Sequence, residues 1–349
     1  MNEKLVVYTP EYIEFFLRRR KGEVKFGERI GFLNTTTSFS ESLKNHCANY
    51  VLLGLPEDIG IRANFGRGGA HTAWDPFLQY FLNIQSNAFI DATDLLLLGH
   101  IDFTSFYDDM NLLDLHFPDQ LKEARLLVEK IDDTIYPLIQ AIVEAGKTPI
   151  VIGGGHNNAY PILKGVSKAK NRSVNALNID PHVDLREKEG RHSGNGFRYA
   201  MDEGYLEKYA VFGMHENYVS ESILDWMNTH SKRCWYKSFE AMLVRKSIDP
   251  VKALNELLIF ISDRSWGLEI DMDGVQNFPS SARTSSGWLA NEIRQWMHQS
   301  ALVSRLSYLH ISEAAPVLAH KKADIKTGKL LSYLVSDFLK ARNYPREES

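Results

Sequence analysis

The chain has 349 residues, 44% of them apolar and 24% charged, which is ordinary for a soluble globular protein. A formal net charge of −4 gives no electrostatic reason to expect nucleic acid or an anionic membrane as a partner. No stretch approaches the roughly 18 apolar residues of a membrane span, and the first residues lack the apolar core of a signal peptide. Cys47 and Cys234 lie far apart in no metal or redox spacing, which fits a reducing cytosol, so we expect a cytoplasmic protein.

Apolar runs bounded by turn residues recur along the chain and predict β-strands. In chain order they are Tyr50–Leu55, Leu95–Leu98, Thr148–Ile152, Val174–Ile179, Ala210–Phe212, Trp266–Ile270 and Leu306–Ile311. Most are separated by stretches with helical periodicity. Strands that alternate with helices predict an α/β protein: a single domain with three α/β/α layers and a mainly parallel sheet.

We predict that this domain covers residues 48–349 and that residues 1–47 form an N-terminal extension. The extension carries four aromatic residues, Tyr8, Tyr12, Phe15 and Phe16. They are expected to pack either on the core or on a neighbouring subunit, and the sequence leaves both open.

The clearest helical pattern runs over Pro118–Ala145, with Gly146 as a natural stop. The apolar stripe predicted for this helix consists of Leu126, Leu127, Ile131, Ile135, Leu138 and Ile139.

Three short motifs follow predicted strands and carry most of the chemistry. They are Gly-Gly-Gly-His at Gly153–His156, Asp-Pro-His-Val-Asp at Asp180–Asp184, and Asp-Met-Asp at Asp271–Asp273. Ligand sites of open parallel sheets collect outside the carboxyl ends of the strands. Each motif taken singly also has a plain structural explanation, since Asp at a strand end often caps a turn or helix. Their coincidence at strand ends favours one converging site.

Alternate positions of an extended segment point the same way, so the acidic motifs present their side chains on one face. Such groups repel one another unless a cation lies between them. The set holds four carboxylates and two imidazoles: Asp180, Asp184, Asp271, Asp273, His156 and His182. With no thiolate in place, it favours two Mn²⁺ or similar ions over structural zinc. A binuclear site of this kind deprotonates a bridging water near neutral pH, which implies metal-assisted hydrolysis.

The order of the three motifs resembles that of the arginase, agmatinase and formimidoylglutamase superfamily, the ureohydrolases. Further segments similar to this family are Gly54–Ala70, Gly99–Asp102, Ser281–Gly287 and Leu309–Pro316. The resemblance covers about residues 48–340 and implies an arginase-like fold.

The resemblance also implies roles for individual residues. One metal ion would be held by His156, Asp180, Asp184 and Asp271. The second would be held by His182, Asp180, Asp271 and Asp273, with Asp180 and Asp271 bridging. Asp184 would orient the bridging hydroxide, and Glu313 would pair with the cationic carbon centre of the substrate. These roles predict two Mn²⁺ per subunit.

The proton shuttle is the point at which the sequence departs from the family. Arginases and agmatinases carry a His in the loop after Asp-X-His-X-Asp, but here His192 precedes the Ser-Gly-Asn of Ser193–Asn195. His192 could serve from this shifted position. Alternatively, Asp184 and metal-bound water could suffice, with His192 an ordinary exposed loop histidine.

The substrate loops are closest to the formimidoylglutamase branch, although Asn195-Gly196 replaces that branch's Thr-Pro. The predicted substrate-binding residues are Asn64, Arg67, Ser193, Asn195, Arg198 and Glu216. Arg67 and Arg198 could clamp carboxylates bidentately. This suits N-formimidoyl-L-glutamate, which carries two carboxylates and would be hydrolysed to L-glutamate and formamide in histidine degradation.

Three other functions remain open at this stage. The chain could be an arginase or another guanidino hydrolase that releases urea, or a related amidohydrolase with one Zn²⁺. It could also be a non-catalytic binding or assembly module of the same fold, although the intact ligand set counts against this. The resemblance further implies a small-molecule substrate and a homo-oligomer, either a trimer or a hexamer.

Overall fold

The computed structural model describes residues 3–34, 36–319 and 326–343. Within these residues the chain forms one nine-stranded sheet. The strands are β1 (Leu5–Val7), β2 (Tyr50–Gly54), β3 (Leu95–Ile101), β4 (Thr148–Ile152), β5 (Val174–Ile179), β6 (Leu206–Met214), β7 (Cys234–Ser238), β8 (Trp266–Asp271) and β9 (Leu306–Ser312). All neighbouring strands in this sheet pair in parallel except β1, which pairs antiparallel with β3.

Helices cover both faces of the sheet. They are α1 (Pro10–Ile13), α2 (Phe39–Asn45), α3 (Ile59–Arg62), α4 (Trp74–Phe81), α5 (Thr104–Met110), α6 (Pro118–Glu144), α7 (Ala159–Lys170), α8 (Gly196–Asp202), α9 (Glu221–Thr229), α10 (Pro250–Ile261), α11 (Ala290–Leu302) and α12 (Lys326–Arg342). One apolar core lies between the sheet and α4, α10, α11 and α12. The other lies between the sheet and α2, α3 and α5 to α9. The predicted three-layer α/β/α fold is therefore confirmed.

The strand order across the sheet is β1-β3-β2-β4-β9-β8-β5-β6-β7. The last strand of the chain, β9, thus lies between β4 and β8, in the middle of the sheet. Because these central strands are parallel, their carboxyl ends lie along one edge. That edge carries the three motifs that the sequence singled out.

All seven predicted strands are present, and two more were not expected. β4 and β5 have the predicted bounds, and β6 extends beyond Ala210–Phe212 in both directions. β1 has only three residues, and β7, at the other edge of the sheet, is buried only at its two end residues. Neither is a long apolar run, so neither gave a strong strand signal.

The predicted long helix is confirmed as α6, which ends at Glu144, with Gly146 in the left-handed conformation just beyond it. The prediction of its apolar stripe was wrong for one residue, Leu126. Leu126 is 44% exposed, whereas Leu127 and Ile131 are buried. The helical period of 3.6 residues turns position 126 away from the sheet when position 127 faces it.

The N-terminal segment packs on the body of the chain. β1 extends the sheet through its pairing with β3. Tyr8 and Phe16 are buried in the core on the α4 side, whereas Tyr12 and Phe15 are exposed. Sheet pairing and core packing therefore tie the predicted extension to the rest of the fold.

Two further sequence expectations concern the membrane and the cysteines. No helix among the described residues is both long enough and apolar enough to cross a membrane. Cys47 is exposed, Cys234 is buried, and both are free thiols.

Candidate metal centre

The candidate site is built by the carboxyl ends of the four central strands. His156 follows β4 by way of a glycine loop, and Asp180 directly follows β5. Asp271 is the last residue of β8, and Glu313 directly follows β9. Parallel strands in register deliver these side chains to one edge of the sheet. The site therefore depends on the central strand order β4-β9-β8-β5.

The predicted ligands form two groups with one member in common. In each group the ligand atoms lie within 4.8 Å of one another. The first group is His156, Asp180, Asp184 and Asp271, and the second is His182, Asp271 and Asp273. Asp180 lies beside the second group as well, because its Oδ1 is 3.4 Å from His182 Nδ1. Two cations could therefore sit side by side and share Asp271.

His156 shows why a cation fits here. Its Nδ1 lies 3.0 Å from Asp271 Oδ2 and 3.1 Å from an oxygen of both Asp180 and Asp184. One ring nitrogen carries at most one hydrogen, so it cannot satisfy three carboxylates. Three carboxylate oxygens converging with a ring nitrogen form a donor set that suits a divalent cation.

One oxygen of each of three carboxylates accepts a hydrogen bond from a backbone amide. Asp180 Oδ1 accepts from the His182 amide at 2.7 Å, and Asp271 Oδ1 accepts from the Asp273 amide at 2.6 Å. Asp273 Oδ1 accepts from the Ala282 amide at 2.8 Å. The other oxygen of Asp271 lies 3.0 Å from His156 Nδ1, Asp180 Oδ2 accepts from Asn178 Nδ2 at 2.7 Å, and Asp273 Oδ2 accepts from the Ser281 hydroxyl at 3.2 Å. These contacts orient the ligands before any ion binds.

The backbone around the site adopts conformations that most side chains avoid. Asp184 has φ +48° and Glu313 has φ +63°, both in the left-handed region. In the loop before His156, Gly154 has φ +80°. A Cβ at this position would lie 2.2 Å from the side-chain Nδ2 of Asn158 and 3.0 Å from the backbone carbonyl oxygen of Leu55. Left-handed non-glycine residues cost free energy and concentrate at functional sites. The tight loop explains why glycines precede His156.

Burial, reinforced by repulsion between neighbouring carboxylates, raises the pKa of two buried acids of the site. Burial raises the pKa of Asp271, and repulsion from Asp180 and Asp273 raises it further. Burial also raises the pKa of Glu313 well above its usual value, with Asp273 and Asp271 adding to the shift. Burial opposes protonation of His156, yet its hydrogen bonds to carboxylates raise its pKa well above the ordinary range. Without a metal ion, protons therefore supply the positive charge of the site.

A pocket of about 270 Å³ opens above these ligands. Its lining includes His182, Asp184, Asp271, Asp273, Glu313, Asn64, Ser193, Gly194, Arg186, Tyr218, Ser281 and Ala282. Glu313 Oε1 accepts from the His156 amide at 2.7 Å, whereas its buried Oε2 has no hydrogen-bond partner among the described residues. An unpartnered carboxylate oxygen at the wall of a pocket can bind a cationic ligand.

Of the predicted substrate-binding residues, the structure brings Asn64 and Ser193 to the pocket. Asn64 Nδ2 donates to Ser193 Oγ at 3.3 Å, and Asn64 Oδ1 accepts from Arg186 Nη1 at 2.9 Å. The sequence analysis missed Arg186, although its position two residues after Asp184 places it on the loop that leaves the metal motif. Tyr218 was also missed, and its ring stacks on that of His182 with centroids 5.2 Å apart.

The other four predicted substrate-binding residues do not line the pocket. Arg67 is exposed to solvent. The Arg198 guanidinium lies 4.0 Å from the centroid of a Trp226 ring and pairs with Asp202.

Asn195 and Glu216 are engaged by other side chains. Asn195 is fully buried and accepts from Arg191 Nη1 at 2.8 Å, so it supports its loop from within. Glu216 accepts from Arg245 Nη1 at 2.8 Å and from the Ser238 hydroxyl at 2.7 Å.

His192 is also placed away from the pocket. Its side chain is 0% exposed, so it is not the exposed loop residue that the sequence left as one alternative. Its Nδ1 accepts from the Gly194 amide at 3.1 Å, and its Nε2 lies 3.2 Å from Glu189 Oε1. Burial, followed by repulsion from Arg125, lowers its pKa to about 3. At neutral pH the ring is therefore uncharged and enclosed.

Comparison with known proteins places this geometry in context. The model of the arginase family matches residues 48–339. A formimidoylglutamase of Staphylococcus aureus strain MSSA476 is 26% identical over 293 residues, which cover 83% of this chain and 85% of that protein.

Two solved structures are similar in fold. The formimidoylglutamase of Bacillus subtilis superimposes with a TM-score of 0.73 at 16% identity, covering 93% of this chain and 94% of the other. The formiminoglutamase of Trypanosoma cruzi, crystallised with Mn²⁺, superimposes with a TM-score of 0.69 at 18% identity and covers 93% of this chain and all of its own.

Substituting Asn for Asp271 tests whether the two ligand groups share this residue. Asn keeps the shape but removes the charge that both groups use, so we expect bound Mn²⁺ to fall from two equivalents to less than one. Metal analysis after dialysis measures this. Asp337→Asn, which removes a carboxylate paired with Arg294, serves as the matched control and should keep both ions. Two ions at unchanged affinity in Asp271→Asn would disprove the sharing.

Metal binding should release protons. The pKa values of His156 and Asp271 are raised in the metal-free protein, by hydrogen bonds to carboxylates for His156 and by burial for Asp271, so protons compete with a cation for both ligands. Affinity for Mn²⁺ should therefore fall as the pH is lowered from about 8 to 6. Calorimetry in buffers of different ionisation enthalpy should detect at least one released proton. A binding heat independent of the buffer would contradict this.

Proposed function

The chain belongs to the arginase family, and we propose that it is a binuclear manganese hydrolase of linear amidines. N-formimidoyl-L-glutamate is the proposed substrate, and the products are L-glutamate and formamide. The observation that carries the proposal is the pair of ligand groups sharing Asp271 at the floor of one pocket. The choice of substrate is inferred from the formimidoylglutamases among its relatives and structural neighbours.

The proposed first ion is held by His156, Asp180, Asp184 and Asp271. The proposed second ion is held by His182, Asp271 and Asp273, with Asp180 as the other bridging ligand. Oxygen-rich coordination with two imidazoles fits Mn²⁺ better than a structural zinc ion. When bound, two such cations provide a nucleophile from water near neutral pH, because they favour its deprotonation.

Glu313 is proposed to recognise the reacting group. The formimidoyl group is a linear amidine that carries positive charge when protonated. Glu313 lines the pocket at the same edge of the sheet as Asp271 and Asp273, and its Oε2, unpartnered among the described residues, can accept a hydrogen bond from this cation. The contact would hold the amidine carbon beside the ligand groups and orient it for attack.

Asp184 is proposed to transfer a proton from the attacking water to the leaving nitrogen. It lines the pocket, and its side chain is 13% exposed, so it is within reach of both the attacking water and the leaving nitrogen. His192 has no part in this proposal, because its ring is enclosed and its low pKa leaves it uncharged at neutral pH. Asp184 would accept the proton of the attacking water and return it to the departing amine.

Arg186 is proposed to bind a carboxylate of the glutamate moiety. It lines the pocket beside Asn64 and Ser193, and its guanidinium already bonds to Asn64 and Glu189. A planar guanidinium matches a carboxylate bidentately. This assignment replaces Arg67 and Arg198 as the clamp, since neither lines the pocket.

Three properties remain predictions from the sequence and the relatives: a place in histidine degradation, a cytoplasmic location and assembly as a homo-trimer or hexamer. The proposed partner is a small molecule alone.

A substrate panel tests the reaction. Protein loaded with Mn²⁺ should release formamide from N-formimidoyl-L-glutamate and no urea from arginine or agmatine, because the proposed substrate carries two carboxylates, whereas arginine carries one and agmatine none. Formamide, urea and ammonia are measured directly, and metal-stripped protein is the control. Urea from arginine as the main product would assign the chain to the guanidino hydrolases. Turnover of neither class would favour a binding module.

Replacement of Arg186 tests the carboxylate clamp. A hydrogen bond to a charged group contributes about 1.5–3 kcal/mol, so Arg186→Met should lower kcat/KM for N-formimidoyl-L-glutamate by about 10- to 100-fold. The loss should be small for an N-formimidoyl alkylamine without carboxylates. Arg198→Met and Arg67→Met are the matched controls and should retain activity. An equal loss in all three variants would argue against a specific role for Arg186.

A further inference from the structure

A row of buried polar side chains crosses the central strands just below the predicted metal ligands. Asn178 of β5 pairs in register with Glu269 of β8, which pairs with His310 of β9. All three are 0% exposed. Glu269 lies two residues before Asp271 and so shares its face of the strand. A carboxylate at this depth is costly unless its partners are fixed, so those partners indicate its role.

Two neighbours on β9 hold the Glu269 carboxylate. Its Oε2 accepts from His310 Nδ1 at 2.6 Å, and its Oε1 accepts from the Tyr308 hydroxyl at 2.7 Å. The other ring nitrogen of His310 lies 3.3 Å from the carbonyl oxygen of Gly153, in the loop that precedes His156. Two hydrogen bonds therefore fix Glu269. His310, which donates one of them, also contacts the loop that carries the predicted ligand His156.

The sequence makes room for this arrangement at Gly267. A Cβ at this position would lie 1.8 Å from the Tyr308 ring. The register explains the clash, because Gly267 is the partner of Tyr308 between β8 and β9. The absent side chain lets the ring lie flat over β8 and reach Glu269. A side chain at position 267 would displace the hydroxyl that Glu269 accepts from.

The metal ligand His156 lies on the other side of this carboxylate. Its Nδ1 faces Asp180, Asp184 and Asp271, whereas its Nε2 is buried and has no hydrogen-bond partner among the described residues. Glu269 Oε2 is 3.5 Å from that Nε2. A histidine that ligates through Nδ1 must carry its hydrogen on Nε2. Glu269 Oε2 is the carboxylate oxygen that the structure places beside this nitrogen.

We propose that Glu269, held by His310 and Tyr308, is a positioning residue that orients His156 and fixes its tautomer for metal binding. The inference rests on the proposed function only in requiring that His156 holds a cation. Metal-ligating histidines generally give their second N–H to a carboxylate or carbonyl, and losing that partner weakens metal binding. Glu269 therefore affects the ion bound at His156 and leaves the ion bound at His182 unchanged.

The alternative is that His156, Glu269 and His310 themselves hold an ion, since their ligand atoms also lie within 4.8 Å of one another. The 2.6 Å contact between His310 Nδ1 and Glu269 Oε2 is a direct hydrogen bond and leaves no space for a cation between them. Such an ion would appear as a third equivalent of bound metal.

Stepwise titration of metal-free protein with Mn²⁺, followed by electron paramagnetic resonance of the free ion, tests the proposal. In Glu269→Gln one of the two ions should bind about 10- to 100-fold more weakly, and the other should keep its wild-type affinity. Asp337→Asn removes a carboxylate from an ion pair with Arg294 outside the site and is the charge-matched control. Unchanged affinities, equal weakening of both ions, or a third equivalent in the wild type would each overturn the proposal.

Tyr308→Phe provides a second test that does not depend on the folding of Glu269→Gln. It removes one hydroxyl but keeps the ring over Gly267, so it should weaken the same ion by less than Glu269→Gln does. Tyr8→Phe is its matched control, because Tyr8 is equally buried and its hydroxyl bonds to His100 and Trp74 instead. Identical titrations of the two variants would overturn the proposal. Circular dichroism confirms the fold of each variant.

These titrations contain no substrate, which separates this inference from the proposed function. Wild-type protein that binds two ions but hydrolyses no amidine would overturn the proposed reaction. Selective weakening of one ion in Glu269→Gln would still support the role of Glu269. Wild-type protein that binds no Mn²⁺ would overturn both.

Discussion

The mutual repulsion of buried carboxylates is the constraint on which the rest of the site depends. Asp271 has a carboxylate oxygen within 4.8 Å of one of Asp180 and of one of Asp273, and water barely reaches these three side chains. A folded chain can hold them together only if positive charge lies between them, from imidazolium protons or from metal ions. The sheet, the glycine loop and the backbone amides that donate to one oxygen of each carboxylate keep these side chains close together. The same constraint explains metal binding, because a bound cation relieves the repulsion between the carboxylates.

The sequence predicted the parts of the molecule that depend on periodicity and strand ends. Seven strands and the long helix α6 could be predicted because burial on both faces gives continuous apolar runs, and burial on one face gives a period of 3.6 residues. The metal motifs could be predicted because alternate residues of an extended segment share a face. The strands β1 and β7 were missed because each lies at a sheet edge, where the apolar pattern is short or interrupted.

The side chains around the substrate pocket could not be predicted in the same way. Arg198 and Glu216 lie close in sequence to the site, but the fold pairs them with Asp202 and Arg245 instead. Arg186 reaches the pocket only because the loop after Asp184 turns back towards Asn64. His192 is enclosed because its loop closes around it. Loop conformation and the competition between neighbouring ion pairs decide these positions, and neither has a sequence period.

The place of β9 in the sheet has a consequence for how the molecule is made. Strands β1 to β4 form one half of the sheet and β5 to β8 the other, and among the described residues the two halves meet only through β9, the last of these strands along the sequence. During synthesis, each half therefore exposes an unpaired inner edge until residue 312 has left the ribosome, and such edges invite pairing with other chains. The predicted metal ligands are divided in the same way, since His156 follows a strand of the first half and the aspartates follow or end strands of the second. A nascent or truncated chain that lacks β9 would present two aggregation-prone half-sheets with separated candidate ligands, so chaperone demand and metal capture would both depend on the synthesis of β9.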